Sequence, residues 1–323
     1  MTQLPRRAAL TAAAGLLAIP PAAAQGVPGS PQLNALAARA NAGTVGIIAG
    51  GIDGTYLRIA ADLAAVLDDG DALRVIAMIG RGSVQNIADI MALRGVDLGI
   101  VQSDVLAFAR RDQRFPMVDR LIQYVCKLYD EEVHILAAPG IGRVQDLAGR
   151  PVNLDLRGSG TAMTASLLLD TLGITVRREH ASQDSALERL RRGEIAAMMF
   201  VSGRPARLFA GIRPEEGLRF LPLPADASLL RTYLPARLTR DDYPALVPAE
   251  GVETLAVGAV LATYAWPPGH ERHRKVSRFV EALNARFDEF LRPPRHPKWR
   301  EVNLAAEVPG WTRFAASPQP RQG

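Results

Sequence analysis

The residues best suited to chemistry in this 323-residue chain are glycines set beside hydroxyl, amide or acidic side chains. They recur as Gly50-Gly51-Ile52-Asp53-Gly54-Thr55, Gly80-Arg81-Gly82-Ser83, Gln102-Ser103-Asp104 and Arg157-Gly158-Ser159-Gly160-Thr161. Glycine lets the backbone come close to a ligand, and Ser or Thr caps the helix that follows. The free N–H groups at a helix start, with the helix dipole, then favour an anion. A single exposed start contributes only about 0.3–1 kcal/mol, so any one turn is better explained as ordinary capping. Several starts converging in a closed, drier cleft would pull harder. The chemistry this implies is capture of a small anionic group.

Other glycine-based chemistries fail on spacing. Gly50-Gly51 followed by Gly54 lacks the G-x-G-x-x-G order of a dinucleotide site. Gly158 to Thr161 has no lysine to meet a phosphate, and Ser159 does not sit in G-x-S-x-G. His134, His180, His270, His273 and His296 are scattered, and the closest two have no acidic or thiol partner, so no metal is assigned. Asp130-Glu131-Glu132 reads as a solvated turn. With no nucleophile–base pair, the chain is expected to have no catalytic residue and no cofactor.

These turns must be held by a scaffold, and its pattern is α/β. Strands are predicted at Val45–Ile48, Leu73–Ala77 and Leu98–Val101, with helical periodicity from Tyr56 and around Val84, Ile87 and Met91. The pattern restarts with strands at Val133–Ala137, Val152–Leu156 and Ile195–Val201, and a late strand at Leu255–Leu261. The longest amphipathic helix runs from Val276 to Phe290. Single helices between strands imply parallel βαβ units covered on both faces. Two such blocks joined by extended crossings predict a two-lobed fold. Lobe one takes 25–140 and 251–323, and lobe two takes 141–250.

Composition agrees with a folded, exported chain. Apolar residues make up 48%, which excludes global disorder, and the net charge of +5 has no interleaved aromatic platform for nucleic acid. Cys126 is the one cysteine, placed in an apolar stretch and expected to be buried and inert. Arg6-Arg7, an apolar run from Ala8 to Ile19 and the small residues Ala22-Ala23-Ala24 have the layout of a signal peptide over residues 1–24. The expected location is the periplasm, reached by the Sec or the twin-arginine route.

Several stretches also occur in an order typical of one family. They are Gly50-Gly51-x-x-Gly54-Thr55-Tyr56, Gly82-Ser83-Val84-x-Asn86, Val96 to Asp104, Leu128-Tyr129 with Val133-His134, Asp146 to Val152, and Gly158-Ser159-Gly160-Thr161. The set resembles the TAXI-type extracytoplasmic solute-binding proteins of TRAP transporters. That resemblance implies a type II periplasmic-binding-protein-like fold, each lobe a mixed sheet flanked by helices. It also implies a small-molecule solute, an amino acid or organic dicarboxylate, delivered to membrane permease subunits. Carried over residue by residue, it would place Gly51, Thr55, Tyr56, Ser83, Asn86, Gln102, Ser103, Ser159, Gly160 and Thr161 around the cleft. The chain departs from the pattern at Leu57, where a second aromatic is usual, and at Arg81, where a small hydroxyl residue is expected.

The roles expected are hydrogen bonds to a carboxylate from Ser83 and Asn86 on one wall and Ser159 and Thr161 on the other. Tyr56 would cover the apolar body of the solute. Arg81, Arg157 and Arg204 are candidate counter-charges, although a loop arginine is more often solvated than ligand-bound. Phe200 serves either the core or the cleft. Closure about crossings at 137–140 and 248–254 would trap the solute. The same fold could serve a sensory receptor, or less readily an enzyme.

Overall fold

The computed structural model describes residues 30–112 and 115–316. The expected signal peptide and the tail after 316 lie outside the described residues. A first unit, up to Asn41, carries helix α1 (Pro31–Ala42), whose residues are all exposed. Everything below concerns the second unit, from Ala42 onward.

Its first half reads β1 (Thr44–Ile48), α2 (Thr55–Leu67), β2 (Arg74–Met78), α3 (Ser83–Ala92), β3 (Leu98–Gln102), α4 (Val105–Asp112), α5 (Val118–Leu121) and β4 (Ile122–Ala137). A short 3-10 turn (Val144–Leu147) leads to β5 (Pro151–Asn153), α6 (Gly160–Thr171), β6 (Arg177–Glu179), α7 (Gln183–Arg191) and β7 (Ala197–Ser202). Then come β8 (Arg219–Phe220), β9 (Leu234–Leu238), β10 (Val252–Tyr264), α8 (Glu271–Ala285), α9 (Phe287–Phe290) and a 3-10 turn at Pro297–Glu301. The single helix expected from Val276 to Phe290 breaks at Arg286, whose φ of −112° and ψ of 17° are not helical.

All strands join one sheet in the order β2-β1-β3-β10-β4-β7-β5-β6, with β8 on β4 and β9 on β10. β1 pairs in parallel with β2 and β3, and β5 does so with β6 and β7. β10 and β4 run antiparallel to their neighbours, so an antiparallel centre joins two parallel ends. This is the two-lobed α/β architecture anticipated from the sequence. Helices α2 and α8 cover one face of the first lobe around Ile59, Leu63 and Phe279, and α3 and α4 cover the other around Ile87, Ile90 and Leu106. In the second lobe β7 alternates with period two: Met199 and Val201 point to the α6 side, Met198 and Phe200 to the α7 side.

The lobes are joined by unbroken strands. Along β4 the first core ends at Tyr129 and the second begins at Val133. Along β10, Leu255 and Val257 belong to the second core and Ala259 and Leu261 to the first, with a register shift between Gly258 and Val260. The change of lobe thus falls at 130–132 and 258, inside the strands and away from the connections at 137–140 and 248–254 that the sequence favoured. Asp130-Glu131-Glu132 is correspondingly no solvated turn. It lies within β4, and Glu131 and Glu132 are both buried.

Glu132 is held by two cations. Lys298, 1% exposed, donates to Glu132 Oε1 at 2.7 Å, to the Asp130 carbonyl at 2.8 Å and to Glu301 at 2.9 Å. Arg204 donates through Nε to the same Glu132 oxygen at 3.0 Å. Removing one partner of a buried pair strands the other charge. Lys298→Ala is therefore expected to destabilise the fold by about 3 kcal/mol, the low end for a broken buried pair because Arg204 still faces Glu132. Arg286→Ala, which breaks an exposed pair with Glu289, should stay within about 0.5 kcal/mol. Urea unfolding curves of the two variants decide this, and equal losses would refute a special role for Lys298.

Candidate functional site

A cavity of about 310 Å³ opens between the lobes. Its first wall comes from the turn after β1, where Gly50 to Gly54 lead into α2 at Thr55. Thr55 shares a hydrogen bond with Ser202 Oγ at 3.1 Å and donates to the Gly203 carbonyl at 3.2 Å, reaching the opposite lobe. Tyr56 turns inward and donates its hydroxyl to Glu131 Oε2 at 2.7 Å. Gly82 caps α3 with a φ of +96°, a conformation that only glycine adopts without strain. The facing wall is the start of α6, where Ser159 Oγ accepts from the Ala162 N–H at 3.0 Å as a helix cap.

Among the residues expected from the sequence, Gly51, Thr55, Tyr56, Arg81, Gln102, Ser159, Gly160, Thr161 and Phe200 line this cavity. Phe200 does both of the things considered for it: it lines the cavity and packs edge-on against Phe209 at 6.0 Å. Five expected residues lie off the wall. Asn86 is fully buried; its Nδ2 donates to the carbonyls of Ala49 at 2.8 Å and Ile100 at 2.7 Å, which staples β1 to β3. Ser83 is also buried, accepting from the Gln102 N–H at 2.9 Å and donating to Gln102 Oε1 at 3.2 Å. Ser103 is tied through its backbone, its N–H to the Gly258 carbonyl and its own carbonyl to Trp311 Nε1. Arg157 is exposed to solvent. Arg204 is consumed by Glu132 and Asp242, leaving Arg81 as the basic residue on the wall.

The wall also contains residues that the sequence reading did not select. Asp53, Glu131, Asp155, Gln183 and Asp184 all line it. Asp155 has a φ of +71°, a backbone state that Asp tolerates better than most side chains and that clusters at functional sites. Burial raises its pKa, against hydrogen bonds from the Leu156 N–H, Ser159 and Gln183. Burial also raises that of Asp53, helped by the neighbouring Asp184. Glu131 is pushed up to about 8, again chiefly by burial, with the Tyr56 hydrogen bond opposing. Four carboxyl groups against one arginine make a wall poorer in positive charge than an anionic guest alone would favour.

The two walls touch directly. The Gln85 N–H donates to the Gly158 carbonyl at 3.1 Å. A β-carbon on Gly160 would lie 2.2 Å from Gln102 Oε1 and 2.6 Å from Ser83 Oγ, so glycine is what permits this approach. Deeper in, Thr164 of α6 donates to Asp104 Oδ2 at 3.0 Å, and Tyr233 donates to the same oxygen at 3.2 Å.

Residues 47–269, most of both lobes, match the sequence pattern of the NMT1-like family. The chain belongs to the NMT1-like family. The protein is also similar to solved structures at low identity. A periplasmic transporter is 13% identical, with a TM-score of 0.48 over 74% of this chain and 82% of the other. The substrate-binding protein of an amino acid ABC transporter is 11% identical, with a TM-score of 0.46 over 77% and 96%. The periplasmic aliphatic sulphonate binding protein SsuA from Escherichia coli is 15% identical, with a TM-score of 0.40 over 76% and 70%.

Two predictions follow from the contacts between the lobes of this NMT1-like protein. Gly160→Ala should keep each core intact yet block the close approach, so in the closed, ligand-saturated state small-angle scattering should give a larger radius of gyration than for the unchanged chain. Equal radii would refute the steric argument. The second concerns Asp104, which burial lifts to about 6 while Thr164 and Tyr233 pull it down. A folded-state value above the unfolded one means the native chain binds the proton more tightly, so this contribution to stability grows as pH falls through about 6. Asp104→Asn should therefore melt higher than the unchanged protein at pH 7.5, with the gap narrowing by pH 5. Parallel melting curves across that range would contradict this.

Proposed function

We propose that this chain is an exported receptor that captures a small carboxylate-bearing solute, an amino acid or organic dicarboxylate, by closing its lobes upon it. The observation that carries the reading is the cavity between the lobes, built from helix-start turns of both lobes that touch across it. The starts of α2 and α6 and the guanidinium of Arg81 supply donors suited to a carboxylate. Membership of the NMT1-like family supports binding over catalysis, and the order of the glycine motifs supports delivery to a TRAP-type permease. No described helix is long and apolar enough to cross a membrane.

In this scheme the core that β4 leaves at Tyr129 and β10 enters at Ala259 forms one jaw, and the core between Val133 and Val257 forms the other. Solute binds one wall first, and the second wall then adds its contacts, so the closed state is populated because it is the better binder. The charge-neutral contacts, such as the Thr161 hydroxyl, are worth about 0.5–1.5 kcal/mol each.

A thermal-shift screen against amino acids, dicarboxylates and aromatic acids tests the proposal. A true solute at a hundred times its dissociation constant should add about 2.7 kcal/mol of stability and reduce the radius of gyration. A saturating ligand that leaves the radius unchanged would refute capture by closure.

A further inference from the structure

The cavity wall carries four carboxyl groups and one arginine. Glu131 is 2% exposed; one carboxylate oxygen accepts from Tyr56, and the other has no hydrogen-bond partner among the described residues. Asp155 faces the same space from the opposite lobe. A second, independent feature is Gln183, 5% exposed on the same wall. Its Nε2 donates to the Met199 carbonyl at 3.1 Å, which fixes the orientation of the amide. Its Oε1 is therefore an acceptor, and it is buried with no partner. A buried acceptor lacking a donor is costly, and a guest bringing N–H groups would satisfy it. A carboxylate brings none.

We propose that the solute is gripped by a protonated amine, read by Glu131, Asp155 and Gln183, so that acids without an amine are refused. This rests on the capture reading above and adds the group that is recognised. Arg81 and the helix starts are left for the carboxylate of the same molecule, which is then an amino acid and not a dicarboxylate.

The charge balance has a measurable consequence. The titratable and charged groups around Glu131 are Tyr56 from α2, Tyr129, Asp130 and Glu132 from its own strand, Lys298 from the C-terminal 3-10 turn, Asp104 from beyond β3, and Arg81 and Asp155 across the cavity. Burial, with Glu132 and Asp104 in support, holds Glu131 near 8, so at pH 7 the empty cavity keeps it mostly protonated. An ammonium group seated beside it favours the carboxylate. The carboxyl then gives up its proton to the buffer, the guest keeps its own, and affinity for the amine rises from pH 6 toward pH 8. A guest that is purely an acid would show the opposite trend.

The test is calorimetry of the full chain with matched probes: L-glutamate with glutarate, L-lysine with hexanoate, and cadaverine with pentanediol. Titrations at pH 7 in buffers of different ionisation enthalpy count the protons released. In at least one pair the amine should bind about 100-fold more tightly than its partner, with release of about 0.5–1 proton. Glu131→Gln should weaken that binding at least about tenfold and abolish the proton release, with a thermal midpoint that shows it is folded. Equal affinity within the binding pair, or Glu131→Gln with unchanged affinity and proton count, overturns the proposal. If only amine-free acids from a wider panel bind, the amine proposal falls and capture stands. If no small molecule binds at all, capture itself has failed, and the amine proposal with it.

Discussion

A strand that serves two cores must turn consecutive side chains to opposite faces even where it passes from one core to the next. β4 does this at Glu131 and Glu132, and neither carboxylate can reach bulk water there. One face supplies Lys298 and Arg204, so Glu132 is neutralised within the protein. The other face supplies the Tyr56 hydroxyl and the cavity, so Glu131 is stabilised only in part. The position of the cavity follows from this strand geometry. It lies where the alternation leaves a buried group without a full set of partners.

The glycine turns act around that point as spacers as much as ligands. Gly82 supplies a left-handed backbone state and Gly160 the absence of a β-carbon, and together they allow α3 and α6 to start within contact of one another. Ser83 and Asn86, which look from the sequence like ligand donors, spend their hydrogen bonds fixing the strand ends that carry these turns. Their contribution is to rigidity. A wall held this firmly keeps its geometry when a guest arrives, which lowers the ordering cost of binding.

Much of the scaffold was legible in the sequence because hydrophobic period and glycine punctuation are local signals. β1, α2 and β3 fall where the periodicity put them. β4 was read as only its last five residues. The charged triplet Asp130-Glu131-Glu132 broke the apolar run, and nothing local announces that Lys298, more than 160 residues later, will neutralise Glu132. The acidic side of the cavity was missed for the same reason: Asp53, Asp155 and Gln183 are ordinary loop and helix-start residues until the lobes bring them together. Arg204 looks from the sequence like a ligand partner because its two acidic partners lie 72 and 38 positions away. Local chemistry could be read from the chain, but long-range pairing could not.

Cys126 is the only thiol in the sequence, and it lies in the first core with its pKa pushed up to about 12 by burial. The native fold therefore presents no reactive sulfur to a maleimide dye. Ile52 and Leu156 stand exposed on the two lips of the cavity. A cysteine placed at either would take the label alone, so fluorophores could follow the jaws of single molecules without first removing the natural residue.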